Sequence, residues 1–188
     1  MAILELVLSL SIAATKTADD GETARLSAIA ESIALEADAG PLWPGAAGRA
    51  ATATLLLAIG VHESGLREEV QHCRVRGDNG RSIGLFQLMH RVACAPWSVE
   101  DVCGSDRLQA SLALSVLHRH QDQCPRCAPR RWIAGYASGD GRRDSQAARE
   151  IAQLWVDLSW RHGLVVNPSE ARAPVFADGP RTRERRAR

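Results

Sequence analysis

A glutamate at the end of an apolar segment is the residue of this chain best suited to acid catalysis. Glu63 closes residues 51–63, where nearly every side chain is apolar, so a helix there would place its carboxyl group beside a hydrophobic core. Burial raises the pKa of a carboxyl group, and the negative end of the helix dipole raises it further. Glycosidic cleavage requires such a proton donor, because the leaving sugar oxygen must be protonated. Taken alone, the pattern also fits a solvated glutamate that points outward at a helix end.

Three short motifs, in a fixed order, favour the catalytic interpretation. They are Glu63-Ser64-Gly65, Ser-Ile-Gly-Leu-Phe-Gln-Leu at 82–88 and Gly-Tyr-Ala-Ser-Gly at 135–139. Their order resembles the soluble lytic transglycosylase domain of the lysozyme-like superfamily, which has an E-S-G helix end, an S-x-G-L-(M/F)-Q strand and turn, and an A-Y-N-A-G segment. The first two motifs match closely and the third in part, and the resemblance covers residues 55–155. It implies an enzyme that cleaves the β-1,4 bond between MurNAc and GlcNAc in peptidoglycan.

The resemblance also implies a role for each matching residue. Glu63 would be the general acid that protonates the glycosidic oxygen and would then act as the base. Ser82 would hold this glutamate or the sugar N-acetyl group by a hydrogen bond. Gln87 would line the same cleft, and Tyr136 would reach the carboxylate from the opposite wall, although a core tyrosine with a satisfied hydroxyl is the alternative for it. The resemblance implies no metal and no other cofactor.

The number of carboxylates needed separates two reaction types. Ordinary glycosidases place two carboxyl groups across the scissile bond. In the lytic transglycosylase family the C6 hydroxyl of the muramic acid attacks instead, so that one glutamate suffices. Asp78 is the best-placed partner and substrate-binding candidate, followed by Glu68 and Glu69, although Asp-Asn-Gly is also favoured in turns for backbone reasons. Both a transglycosylase and a muramidase-type hydrolase therefore stay open, with the transglycosylase favoured.

A mainly helical fold has to position these residues. Asp19 followed by Glu22 predicts a helix N-terminus, and apolar residues at 26, 29, 33 and 37 predict one buried face that ends before Gly40. Residues 51–63 predict a central buried helix that Gly65 stops with a positive φ angle. Further helices are predicted over 108–120 and 145–160. We expect an α+β, lysozyme-like helical bundle around the central helix, with one small β-hairpin.

The hairpin is expected soon after the central helix. Residues 73–76 alternate apolar side chains with arginine before Gly-Asp-Asn-Gly at 77–80, which is the strongest hairpin signal in the chain. Gly84 is expected to let two segments of the chain approach closely.

Other aromatic and imidazole groups were assigned supporting roles. His62 is expected to point about 100° away from Glu63 and to have a packing or supporting role. Tryptophan could stack on sugar rings or fill the core, and Trp155 lies on the apolar stripe of the last predicted helix, so we place it in the core. The choice stays open for Trp97, Trp132 and Trp160.

Composition limits the classes of partner. Among 188 residues, 23 are basic and 22 acidic, and this balance favours neither nucleic acid nor an anionic membrane as a partner. No segment approaches the roughly 20 apolar residues that a membrane span needs. Residues 2–14 are apolar but include Glu5 and follow no basic residue, so a first helix is expected rather than a signal peptide. We predict one domain over residues 1–165 and a Pro- and Arg-rich flexible tail over residues 166–188.

Five cysteines in the middle third of the chain raise the question of disulfides or metal. They are Cys73, Cys94, Cys103, Cys124 and Cys127. An odd number leaves at least one thiol unpaired, and the spacing does not fix the pairing. The two-residue gap of Cys124-Pro-Arg-Cys127 also occurs in zinc and redox sites, but a complete zinc site would have to recruit His118 or His120 at unfamiliar spacings. We therefore predict disulfides or structural thiols and no metal.

Two other functions compete with the enzyme. A lysozyme-fold module without activity, binding glycan or building a phage or secretion apparatus, is favoured by Ala137, which stands where the family has Asn. The arginines of the tail allow an adaptor linked to nucleic acid, but no aromatic residues for base stacking lie between them. The enzyme is the main prediction, with glycan strands of peptidoglycan as partner, no nucleic acid, and a place in the bacterial cell envelope or periplasm or in a phage.

Overall fold

The fold is known for most of the chain. A computed structural model describes residues 19–94, 96–139 and 145–161, together with Glu5, Val7 and Ser9. In these residues the chain is mainly helical and has one two-stranded antiparallel sheet, which confirms the predicted mainly α fold with a small hairpin. The tail predicted over 166–188 and most of the segment 2–14 lie outside the described residues. Within the described part of the chain, no helix combines the length and apolar character needed to cross a membrane.

The first helix, α1 (Asp20–Ala39), begins where its N-cap pattern predicted. Asp19 Oδ1 accepts a hydrogen bond of 2.8 Å from the Glu22 backbone N–H, which satisfies one of the free donors of the first turn. The four apolar positions predicted to share one face, 26, 29, 33 and 37, are all buried. Gly40 ends the helix as predicted.

Helix α2 (Gly45–Ser64) is the centre of the bundle, and it begins earlier than predicted. Residues 55–59 are all 0% exposed, so this stretch is covered on every side. Helices α1 and α8 (Gln146–Arg161) pack against it. Gly65 ends α2 at φ 62°, in the predicted left-handed conformation. Ser64 Oγ donates to the Gly60 carbonyl and accepts from the Leu66 N–H, so it is the helix-end residue that was expected.

The remaining elements build the wall facing the end of α2. Long helix α6 (Asp106–Gln123) and α8 match the two further predicted helices. The other helices were not predicted, and they are α3 (Glu68–Gln71), α4 (His90–Ala93), α5 (Val99–Cys103) and α7 (Pro129–Ser138). Helix α7 has Pro129 in its first turn and ends at Gly139 with φ 69°, two local signals that the sequence does contain.

The hairpin lies later in the chain than residues 73–80 indicated. Its strands are β1 (Ser82–Ile83) and β2 (Leu88–Met89), and residues 84–87 form the turn. The predicted turn signal instead forms a 3-10 turn (Asp78–Gly80), and an isolated bridge joins Gly77 to Ser82. Residues 73–76 are no strand, because Cys73 has φ 54°, in the left-handed region, which interrupts an extended backbone.

A buried glutamine fixes the turn of the hairpin to α6. Gln109 is fully buried, and its Oε1 accepts the Leu85 N–H at 2.7 Å. Its Nε2 donates to the carbonyls of Gln71 and Val102, both at 3.0 Å. Gly84 has φ 72°, and a Cβ atom there would overlap the Gln109 amide, which confirms the close approach predicted at this glycine.

Replacing Gln109 by Leu should destabilise the fold, because it removes the partner of the Leu85 N–H and of the Gln71 carbonyl. We expect the free energy of unfolding to fall by about 3 kcal/mol, measured by urea unfolding. Ser115→Ala, at an exposed position of α6, is the control and should change it by less than about 0.5 kcal/mol. Equal stabilities of the two variants would contradict this role of Gln109.

Candidate active site

All five residues predicted for the site line one cleft. It has a volume of about 620 Å³ and lies between the end of α2, the 78–80 turn, the hairpin, α6 and α7. Its lining includes Glu63, Asp78, Ser82, Gln87 and Tyr136. These residues come from separate segments of the chain, so the tertiary structure brings them together.

Glu63 lies at the boundary between the core and this cleft. It is in the last turn of α2, and its side chain is 21% exposed. Burial raises its pKa above the ordinary value of 4.5, and nearby Asp78 adds to the rise, whereas His62 lowers it. The side chain is thus not a freely solvated one at a helix end. It has the surroundings of a carboxyl group that keeps its proton to higher pH and still borders an open cleft.

Ser82 and Asp78 form a pair on the hairpin side. Ser82 Oγ donates a hydrogen bond of 2.7 Å to Asp78 Oδ2. In this structure the serine hydroxyl therefore donates to Asp78 and not to Glu63, because the turn at 78–80 brings the Asp78 carboxylate onto it. The other expected role of Ser82, holding the N-acetyl group of a sugar, stays a prediction. Asp78 is both the turn residue and the cleft residue that were weighed as alternatives. The serine oxygen still has lone pairs to accept a hydrogen bond from a sugar amide or hydroxyl.

Gln87 lies in the cleft because of an unusual backbone conformation. Its φ is 45°, and its Nε2 donates to the Gly84 carbonyl at 3.0 Å, inside the same turn. Gly77 makes room for its side chain, since a Cβ atom at position 77 would overlap Gln87 Oε1. The amide is thereby held against the 78–80 turn.

Tyr136 reaches the cleft from α7, on the wall that was predicted. Its hydroxyl donates to the Phe86 carbonyl at 2.7 Å, so its proton does not go to Glu63 as expected. Burial raises the pKa of this phenol well above 10, and the charge of Glu63 raises it further. Tyr136 also packs against the core. It is therefore a neutral donor that anchors the hairpin turn and, at the same time, a wall of the cleft.

Helix α6 contributes a polar wall that was not predicted. Arg119, His120 and Gln123 line the cleft with Val116. Positions 116, 119, 120 and 123 share one helix face, and this spacing was the sequence signal that could have found them. Burial lowers the pKa of His120. A Cβ atom at Gly135 would overlap the His120 ring, so this glycine lets α6 and α7 meet closely.

His62 has a closer relation to Glu63 than predicted. It does not line the cleft, but its Nδ1 lies 3.5 Å from Glu63 Oε1 and its Nε2 lies 3.0 Å from Glu150 Oε2 on α8. Helical geometry separates the two side chains at their Cβ atoms, yet both are long enough for their ends to meet.

The other carboxylates considered lie outside the cleft lining. Glu68 pairs with Arg74 at 2.7 Å and Glu69 with Arg67 at 3.4 Å, so neither is a partner for Glu63 in this structure.

No tryptophan described in the structure lines the cleft. Trp155 is buried as predicted and stacks on Trp43 with ring centroids 5.3 Å apart. Trp132 is also buried, and its indole donates to the Cys124 carbonyl. Trp97 and Trp160 are exposed. The sugar-stacking alternative thus finds no support at this cleft.

Four of the five cysteines form disulfides. The pairs are Cys73–Cys103 and Cys124–Cys127, and Cys94 is a buried thiol whose pKa burial raises to about 11. Cys124 and Cys127 are bonded to each other, so their spacing reflects a disulfide and not a zinc site. Among the described residues, no group of three or more His, Cys, Asp or Glu side chains is arranged to hold a metal ion.

Comparisons with protein-family models, with curated proteins and with solved structures found no match to this chain.

Glu63→Gln should stabilise the protein in a pH-dependent way. Because the folded state raises the pKa of Glu63, ionisation of this group opposes folding. The penalty is absent below the unfolded value of about 4.5 and grows as the pH rises through the folded value. We expect the Tm of the variant to exceed that of the wild type increasingly above pH 4.5, measured by thermal unfolding from pH 4 to 8. A difference in Tm that is constant over this range would contradict the raised pKa.

Proposed function

We propose that this chain cleaves the β-1,4 bond between MurNAc and GlcNAc in peptidoglycan, as a lytic transglycosylase of the lysozyme-like superfamily with Glu63 as general acid and base. One observation carries the proposal: Glu63, a carboxyl group whose pKa burial raises, borders a cleft that also holds the three other motif residues, Ser82, Gln87 and Tyr136, together with Asp78. Helix α6 adds hydrogen-bonding groups to the lining of this cleft, from Arg119, His120 and Gln123.

The chemistry needs two proton transfers at one group. Glu63 gives its proton to the glycosidic oxygen as the bond to the MurNAc anomeric carbon breaks. The resulting carboxylate takes the proton of the MurNAc C6 hydroxyl, whose oxygen bonds to the same carbon and closes a 1,6-anhydro ring. No water is consumed, and Glu63 recovers its proton. Asp78 lines the cleft, but its carboxylate accepts a hydrogen bond from the Ser82 hydroxyl. This contact supports a positioning role for Asp78 more than the role of a second catalytic carboxylate.

The disulfides support a place outside the reducing cytoplasm. Two disulfides in a small domain are typical of oxidising compartments, and peptidoglycan lies there too. We propose the bacterial cell envelope or periplasm, or a phage particle, as the location. Glycan strands would be the main partner, and phage or secretion-apparatus proteins would be further ones.

Digestion of purified peptidoglycan tests the reaction. The wild type should release muropeptides that are one water lighter than hydrolysis products, measured by mass spectrometry. Glu63→Gln should lower the rate by about 10²- to 10⁴-fold, because it removes the general acid. Glu69→Gln, at a glutamate outside the cleft, is the matched control and should keep wild-type activity.

The masses also decide between the alternatives. Products with ordinary reducing ends would show a muramidase and would overturn the transglycosylase. Full activity of Glu63→Gln would overturn the assignment of the acid.

A second function, a glycan-binding or structural module without activity, is favoured by Ala137. This residue lines the cleft at the position where the resembling family has an amide side chain. Under this alternative the folded wild type releases no product but still binds insoluble peptidoglycan in a pull-down. Ala137→Asn tests the missing contact directly, since an added amide should then restore measurable cleavage.

A further inference from the structure

A histidine links the carboxyl group of Glu63 to a second carboxylate on the far side of α2. His62 Nε2 lies 3.0 Å from Glu150 Oε2 on α8, and Nδ1 lies 3.5 Å from Glu63 Oε1. The histidine does not line the cleft, whereas Glu63 does. The three groups therefore form a chain from the cleft to the surface of α8, where the Glu150 side chain is 51% exposed.

The hydrogen-bond partners of His62 indicate which of its ring nitrogens carries a hydrogen. Hydrogen bonds from Gln146 and His62 lower the pKa of Glu150, so this carboxylate is ionised and can only accept. Nε2 of His62 must then carry a hydrogen. In the neutral ring this leaves Nδ1 as a bare acceptor. Nδ1 is buried and has no hydrogen-bond partner, and 3.5 Å is longer than a well-formed hydrogen bond. A proton on Glu63 would supply the missing donor after a small movement.

We propose that His62, oriented by Glu150, is a positioning residue that shares one proton with Glu63. The pair holds this proton either on the Glu63 carboxyl group, beside a neutral imidazole, or on His62, as an imidazolium between two carboxylates. The role of this shared proton in catalysis rests on the proposed function, because a transglycosylase would use Glu63 first as an acid and then as a base. The sharing itself is a property of the folded chain.

The groups around Glu63 determine in which direction its pKa should change when His62 or Glu150 is replaced. Burial and Asp78, from the 78–80 turn, favour the neutral form of Glu63, and His62 is the group that opposes them. Tyr136, from α7, is neutral. On α8, Glu150 binds His62 Nε2 at 3.0 Å, and the charge of Arg149 helps to lower the pKa of Glu150. Removing His62 therefore leaves burial and Asp78, which raise the pKa of Glu63, unopposed. Replacing Glu150 removes the partner that orients His62 beside Glu63, so it should act in the same direction and more weakly.

Carboxyl ¹³C NMR titration of the full chain tests the shared proton. The Glu63 resonance is assigned by its loss in Glu63→Gln. We expect its midpoint to move to higher pH in His62→Gln and to move less far, in the same direction, in Glu150→Gln. Asp157→Asn is the matched control: like Glu150, Asp157 is an exposed carboxylate of α8 that accepts from a glutamine four residues earlier, at 2.7 Å. It should leave the Glu63 midpoint unchanged.

Activity gives a second readout that a purely structural role would not move. The alkaline limb of the pH profile of kcat/KM, where the acid loses its proton, should move upward in Glu150→Gln by the same amount as the NMR midpoint.

The outcomes separate this inference from the proposed function. An unchanged Glu63 midpoint in Glu150→Gln, a surface variant that leaves the core intact, would overturn the shared proton even if the protein cleaves peptidoglycan. Shifted midpoints in a wild type that releases no muropeptides would support the shared proton and contradict the proposed function.

Discussion

The burial of α2 gives the carboxyl group of Glu63 its properties. Five consecutive positions of this helix are fully covered, and its last residue, Ser64, is buried as well. Gly65 turns the chain away in a left-handed conformation, and Ser64 satisfies the backbone at the same point. The side chain of Glu63, one residue before Ser64, is mostly shielded from water and borders the cleft. Without this burial, the group would be an ordinary ionised glutamate.

The opposite wall is held in place by close contacts of glycines and by one buried amide. Gly135 lets the ring of His120 on α6 approach α7, and Gly84 lets the hairpin turn reach Gln109. Gln109 then binds three backbone groups from three segments, so a shift of α6 would move the turn that carries Gln87. A disulfide between Cys73 and Cys103 joins the segment that precedes the 78–80 turn to α5. The distance across the cleft is therefore set by packing and covalent links and not by the loops alone.

Opposing electrostatic influences act on the carboxyl group of Glu63 in the cleft. Asp78 raises the pKa of Glu63 and His62 lowers it, so the carboxyl group lies between opposing influences. Tyr136 stays neutral and uses its proton to hold the Phe86 carbonyl. Ser82 is likewise occupied by Asp78. The hydroxyl groups of Ser82 and Tyr136 are thus oriented by protein partners, whereas Glu63 borders the cleft with a carboxyl group whose pKa burial raises.

Local pattern in the sequence determined the helices and the kinds of residue at the site. The period of apolar residues predicted α1, α2, α6 and α8, and the glycine after Glu63 predicted the end of α2, because these signals depend on neighbours within a few positions. The motif order also predicted four of the cleft residues, Glu63, Ser82, Gln87 and Tyr136, and the search for a second carboxylate predicted Asp78. The hairpin was misplaced because the backbone at Cys73 takes a left-handed conformation, which the alternation of residue types does not reveal.

Only the tertiary structure decided which hydrogen-bond partners the residues of the cleft have. Ser82 bonds Asp78 and Tyr136 bonds Phe86, although both were expected to reach Glu63, and the polar wall of α6 was not expected at all. The link from Glu63 through His62 to Glu150 joins residues 88 positions apart in sequence. Side chains reach several ångströms beyond the backbone and choose among donors and acceptors that distant segments bring near, so spacing along the chain fixes which groups are available but not which of them meet.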